Sequence, residues 1–100
     1  MKAFLVDRKT GDLFAAKEGR AVLREQEFVS SSGLLYRMDR VIVDPDAVAV
    51  IDFKTGGNER EEDYRMQVKS YMNLVREIFA GKSVSGVIAY VDRRELVFLS

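Results

Sequence analysis

The 100-residue chain contains no cysteine and no histidine. The first absence excludes disulfides, thiolate nucleophiles and zinc–thiolate centres. The second removes imidazole acid–base chemistry and His-ligated metals, so neither a Ser-His-Asp nor a Cys-His constellation can be built. Polar chemistry on this chain must run on Asp, Glu, Lys, Arg, Tyr, Ser or Thr. An excess of charge is missing too, because 16 Lys+Arg balance 16 Asp+Glu. Bulk charge therefore announces no nucleic-acid binder, although a local basic stripe would suffice for one. No apolar run approaches the ~20 residues of a membrane span. The opening stretch from Met1 to Asp7 lacks the apolar core and cleavage site of a signal peptide, and the expectation is a cytoplasmic protein, whole or a piece of one.

What is present is globular: 47% hydrophobic and 32% charged residues in 11.4 kDa, enough for one small core. The opening segment is ambiguous. Ala3–Val6 and Leu13–Ala16 flank a turn-like Arg8-Lys9-Thr10-Gly11-Asp12, and a hairpin and a short helix fit equally. Beyond it, Ala21–Val29 reads as a strand closed by Ser30-Ser31-Ser32-Gly33, and Leu34–Val43 as a second. The only proline, Pro45, stands in a tight Asp44-Pro45-Asp46 turn before a third strand, Ala47–Lys54. Two short connections between three consecutive strands predict an antiparallel meander. The period then changes: Tyr64, Val68, Tyr71, Met72, Val75, Ile78 and Phe79 recur at helical spacing, acids crowd the start, and Gly81 follows as a C-cap. Ser83–Val91 and Glu95–Leu99 read as two closing strands. The class is mixed α/β.

Asp52 and Lys54 lie two apart on the third strand and so point to one face. An acid at the end of so apolar a strand as Val48-Ala49-Val50-Ile51 needs a partner charge or a metal if it is buried. Counted outward from Pro45, Asp39 on the preceding strand falls close to Asp52 across the meander. Two carboxylates, a backbone carbonyl and waters suit a hard divalent cation such as Mg²⁺, and an adjacent lysine suits phosphate chemistry. An ordinary cross-strand Asp–Lys salt bridge explains the same spacing equally well.

In these segments the chain resembles the PD-(D/E)XK nuclease superfamily. It is most similar to the RecB-type nuclease domains at the C-termini of bacterial helicase-nucleases, including AddA and AddB. That branch shows Gly-x-x-Asp-Arg-Val, then Asp-Tyr/Phe-Lys-Thr-Gly, then Gln-x-x-x-Tyr on a helix. Here these stand as Tyr36-Arg37-Met38-Asp39-Arg40-Val41, Asp52-Phe53-Lys54-Thr55-Gly56 and Gln67-Val68-Lys69-Ser70-Tyr71, preceded by Arg24-Glu25-Gln26-Glu27-Phe28, which resembles an Arg-Glu-x-x-Phe opening strand. Residues 20–99 carry the match. The resemblance implies a restriction-endonuclease-like core: a central mixed sheet containing the meander, one long helix packed on it, and closing strands. It implies Asp39, Asp52 and the Phe53 carbonyl as ligands of Mg²⁺ or Mn²⁺, and Lys54 as the catalytic lysine. Gln67 and Tyr71, one helical turn apart, would reach the active site or the DNA, although Tyr71 also falls on the apolar stripe and serves equally as core.

The resemblance further implies metal-dependent hydrolysis of DNA phosphodiesters by a single domain that serves as a module of a larger helicase-nuclease in recombination or repair. No Gly-x-x-x-x-Gly-Lys-Ser/Thr loop is present, so the helicase motor, as a domain or a subunit, lies elsewhere. On the predicted helix Arg65, Lys69 and Arg76 share an arc that can meet phosphates or simply face solvent; Arg37 and Arg40 flank Asp39, and Arg37, on the Asp39 face, can meet phosphate or pair with an acid. Glu25 and Glu27 read as exposed strand residues. Two departures from the branch stand out. Its glycine three before the first Asp is Tyr36, and the metal-binding histidine that many members carry upstream has no counterpart. They motivate an alternative, a catalytically inactive nuclease-fold module kept for DNA binding or docking. A third reading is a protein-interaction domain in which Asp52 and Lys54 are only a salt bridge.

Overall fold

The computed structural model describes residues 18–57 and 59–100. The ambiguous opening segment, with Ala3–Val6 and Leu13–Ala16, lies outside the described residues. Among the described residues five strands and one helix follow in order: β1 (Ala21–Val29), β2 (Leu35–Val43), β3 (Ala47–Lys54), α1 (Glu61–Ile78), β4 (Ser83–Tyr90) and β5 (Glu95–Leu99). The sheet runs β1-β2-β3-β4-β5. β1, β2 and β3 form the antiparallel meander. β4 lies parallel to β3, and β5 returns antiparallel to it. The parallel step needs a long crossover, because two parallel strands cannot be joined by a tight turn. α1 is that crossover, and the result is the mixed sheet with one packed helix that the resemblance implied.

α1 forms where apolar residues recur every three to four positions, with Glu61, Glu62 and Asp63 placed favourably against the positive end of its dipole and Arg76 in its last turn. Its buried face, Val68, Tyr71, Met72, Leu74 and Val75, covers β3 and β4. Gly86 on β4 permits this approach. A Cβ there would stand 2.6 Å from Val68 Cγ1 and 2.7 Å from Met72 Sδ, so the helix could not lie as close over any larger residue. The end of α1 departs from the C-cap expected at Gly81. The helix closes at Phe79, whose N–H donates to the Val75 carbonyl, and Gly81 stands two residues on with φ +90°, in the turn where Lys82 N–H reaches Phe79 O.

Apolar residues fill both sides of the sheet. Toward α1 lie Met38, Val41, Val48, Val50, Ile88 and Tyr90. On the other side Ile42, Ile51, Val87 and Ala89 are buried together. The turn end of the meander is pinned by charge. The Arg20 guanidinium grips Asp44 with two hydrogen bonds of 2.6 and 2.8 Å, and Lys82 Nζ donates to the Asp44 carbonyl at 2.7 Å.

The opposite end of the sheet is opened. β2 and β3 pair only from Arg40↔Ile51 to Val43↔Val48. β2 continues alongside β1 as far as Leu35, and β3 continues alongside β4 as far as Lys54. The two middle strands therefore fork beyond Arg40 and Ile51. A second irregularity coincides with the fork. The β1–β2 register passes from Arg24↔Arg40 to Gln26↔Met38 without a Glu25–Asp39 pair, and Glu25 has φ +47°. Inside-outside alternation changes phase there: Leu23 and Phe28, five apart, both pack on the helix-side core, as do Met38 and Val41, three apart. Interruptions of this kind re-aim side chains and are concentrated beside active sites.

Candidate active site

Asp39 and Asp52 stand in the fork. Continuing the β2–β3 register by one residue would set them opposite each other, and at this step a side chain replaces the backbone: the Phe53 N–H donates to Asp39 Oδ2 at 3.0 Å. Asp52 is 4% exposed, the one charged residue among the fully buried positions described. Its Oδ2 lies 3.1 Å from Lys54 Nζ, an ion pair whose angles make no proper hydrogen bond, so that oxygen has no hydrogen-bond partner. Burial, first, and a hydrogen-bonding contact with the Asp39 carboxyl, second, push the Asp52 pKa up to about 6, against the opposing pull of Lys54. A carboxylate in such a place is under-satisfied twice over, by the loss of water and by a like charge beside it.

Lys54 is held from several directions. Its carbonyl accepts the Val91 N–H at 3.0 Å, which fixes the end of β3, and the Gly56 N–H just beyond donates to Asp92 Oδ2 at 2.8 Å. Its ammonium sits between Asp52 and the face of Tyr64, 4.8 Å from the ring centroid. The three charged groups converge from adjacent strands, and Lys54 borders an open cleft of about 420 Å³ lined also by Arg60, Asp63, Tyr64 and Gln67.

α1 brings its own residues to the same place. Tyr71 is buried against Tyr36 with its ring edge-on, centroids 6.0 Å apart. Burial and then the charges of Asp52 and Asp39 raise the pKa of its phenol, while a hydrogen bond with Gln67 lowers it. Tyr71 is thus both core and neighbour of the two carboxylates. Gln67 is exposed one turn away and joins Tyr71 to the cleft beside Lys54. Tyr36, where the resemblance has a glycine, packs on this tyrosine rather than across the carboxylates.

The basic residues expected to meet DNA are placed less simply. Arg65 is engaged by Glu61 on its own helix, with contacts of 3.2 and 3.3 Å. Arg37 pairs with the Glu25 carboxylate on β1. Arg76 donates to Asn73 Oδ1 at 2.9 Å, and Lys69 is exposed. The Arg37–Glu25 pair is exposed, and pairs of this type are weak and are readily exchanged for a phosphate. Tyr64 went unassigned as a site residue in the sequence, yet it was legible there: three before Gln67 and seven before Tyr71, it shares their helix face. The change of phase at Glu25 has no signature of its own in a run of ordinary strand residues.

This geometry agrees with a comparison against family models, in which the PD-(D/E)XK nuclease superfamily matches residues 3–97. The chain belongs to the PD-(D/E)XK nuclease superfamily. No curated protein matches it. Among solved structures it is similar to the crystal structure of SSO0001, with 20% sequence identity and a TM-score of 0.48. The likeness covers 79% of this chain and 41% of that one, so this chain spans well under half of that structure's length.

The donor set of this superfamily member fits a hard divalent cation. Asp39 and Asp52 offer carboxylate oxygens in the fork, one of them buried without a hydrogen-bond partner. Among the described residues no third Asp, Glu, His or Cys joins them. Mg²⁺ is suited to such a site, since it commonly keeps several waters beside one or two carboxylates. Among the described residues no helix is long and apolar enough to cross a membrane.

Proposed function

We propose that this chain is a metal-dependent deoxyribonuclease domain of the RecB type, hydrolysing DNA phosphodiesters as a module of a helicase-nuclease. The observation that supports the reading most is the convergence of Asp39, Asp52 and Lys54 at the fork, with Asp52 buried in a state that a cation would relieve. Asp39, Asp52 and the Phe53 carbonyl would hold Mg²⁺ or Mn²⁺, which in such a site supplies charge neutralisation at the phosphate and a more acidic bound water. The helicase motor, as a partner domain or subunit, follows from the same resemblance, and the setting proposed for it is cytoplasmic.

The residues of the chain then divide the work. Asp52 and the Tyr64 ring hold the Lys54 ammonium at the mouth of the cleft, where it can donate to a non-bridging phosphate oxygen as negative charge builds on it. Asp39 ties the site to the backbone of β3 through Phe53, so the two carboxylates keep their spacing. Tyr71 closes the floor, and Gln67 stands between that tyrosine and the open cleft, able to orient the strand. In the hydrolysis a water oxygen bonds to phosphorus, one bridging P–O bond breaks, and the departing oxygen takes up a proton.

The test is cleavage of single- and double-stranded DNA with Mn²⁺ or Mg²⁺ by the wild type and by Lys54→Ala. Loss of a donor to the transition state typically costs ~10²–10³-fold in rate, with metal binding nearly unchanged. Equal cleavage by both proteins would make Lys54 structural. A wild type that binds Mn²⁺ and cleaves neither substrate would leave a DNA-binding module without hydrolysis.

A further inference from the structure

On the side of the sheet away from α1, Arg24 of β1 and Arg40 of β2 are direct cross-strand partners. Like charges facing each other across an antiparallel pair repel, and strands normally avoid the arrangement. Here each guanidinium lines the same open cleft of about 350 Å³, together with Glu25, Asp39 and Phe53. The cleft therefore abuts the carboxylate fork from the sheet face opposite α1. Arg40 is also oriented, with its guanidinium carbon 5.3 Å from the Phe53 ring centroid, so less freedom is lost when it binds. Both acids of the cleft have partners of their own: the Glu25 carboxylate pairs with Arg37, and Asp39 Oδ2 accepts the Phe53 N–H.

We propose that Arg24 and Arg40 form an anion subsite that grips a phosphodiester of the bound strand, adjoining the Asp39–Asp52–Lys54 cluster. The inference rests on the nuclease reading for the identity of its ligand. It carries the strand's path onto the sheet face opposite α1, a direction that Arg65 and Lys69 on the helix do not indicate. Two guanidiniums opposed across a cleft can each present a planar fork to phosphate oxygens, which turns their mutual repulsion into shared attraction.

The test is binding of a fluorescein-labelled single-stranded oligonucleotide, followed by anisotropy in EDTA across a series of salt concentrations. Arg24→Gln should weaken binding several-fold and lower the slope of log K against log salt by about 0.7, the value for one phosphate contact on a single strand. Arg40→Gln should act in the same direction. Lys82→Gln, which removes one positive charge at the turn end of the sheet, opposite the fork, should leave the slope unchanged. Arg24 is exposed, so its variant carries the test even if the half-buried Arg40 variant fails to fold. A wild type that does not bind, or an Arg24→Gln slope equal to that of Lys82→Gln, overturns the subsite. Cleavage is read separately. A protein that fails to cut DNA yet loses slope with Arg24→Gln keeps the subsite and discards the hydrolytic reading. One that cuts normally with an unchanged slope does the reverse.

Discussion

Replacing Asp52 by Asn should stabilise the metal-free protein and abolish its response to metal. In the folded chain the Asp52 carboxyl titrates at about 6, against an ordinary value of 3.8. Between those two values the folded state holds a proton that the unfolded state has released. Stability is therefore highest below the unfolded pKa, falls as pH rises through the folded one, and is flat above it. The difference of about 2 pH units, at 1.36 kcal/mol each, corresponds to a penalty of at most about 3 kcal/mol at pH 8. Asn carries no charge and escapes that penalty, but it leaves Lys54 without its counter-ion, which returns part of the gain. A net stabilisation of about 1–2 kcal/mol should raise the melting temperature of a chain this size by ~5–15 °C. The assay is urea or thermal unfolding of both proteins in EDTA from pH 4 to pH 8. The difference between wild type and Asp52→Asn should widen in favour of the variant as pH rises through 6. In millimolar Mn²⁺ the order should invert, since a ligand at 100 times its Kd adds about 2.7 kcal/mol to the protein that binds it. A variant that is less stable than the wild type at pH 8 in EDTA, with a gap independent of pH, would refute the reasoning: Asp52 would then be a satisfied ion-pair partner.

Gly86→Ala should destabilise the fold by about 1–3 kcal/mol, because the new methyl overlaps Val68 and Met72 and must push α1 off the sheet; chemical denaturation measures it, and an unchanged midpoint would mean that the helix yields freely. Arg20→Ala breaks the buried grip on Asp44 and should cost about 3 kcal/mol by leaving that carboxylate inadequately paired. The loss should be smaller in an Asp44→Asn background, which a double-mutant cycle reads directly. Tyr64→Leu keeps apolar contact but removes the face under the Lys54 ammonium; it should lower the rate of DNA cleavage about tenfold while moving the melting temperature by only a few degrees.

Much of this molecule is determined locally. The apolar strands, the Pro45 turn and the change to helical spacing after Asn58 rest on backbone sterics and on periods of two and 3.6, which need only neighbouring residues. The order of segments also places a helix between β3 and β4; that the two strands lie parallel is a matter of their tertiary pairing. Asp39, Asp52 and Lys54 could be proposed as a group because strand alternation and a tight turn carry positional information across a meander. Tertiary structure decided the rest, through contacts distant in sequence. The fork arises because β2 stays with β1 while β3 stays with β4. Asp52 acquires its raised pKa only once α1 and the sheet exclude water from it, and no reading of Ile51-Asp52-Phe53 contains that burial. Lys54 meets Tyr64, and Arg37 meets Glu25, across gaps that propensity does not see. Arg24 and Arg40 reach a common cleft through the β1–β2 register, and the left-handed backbone of Glu25 beside them has no counterpart in its residue type.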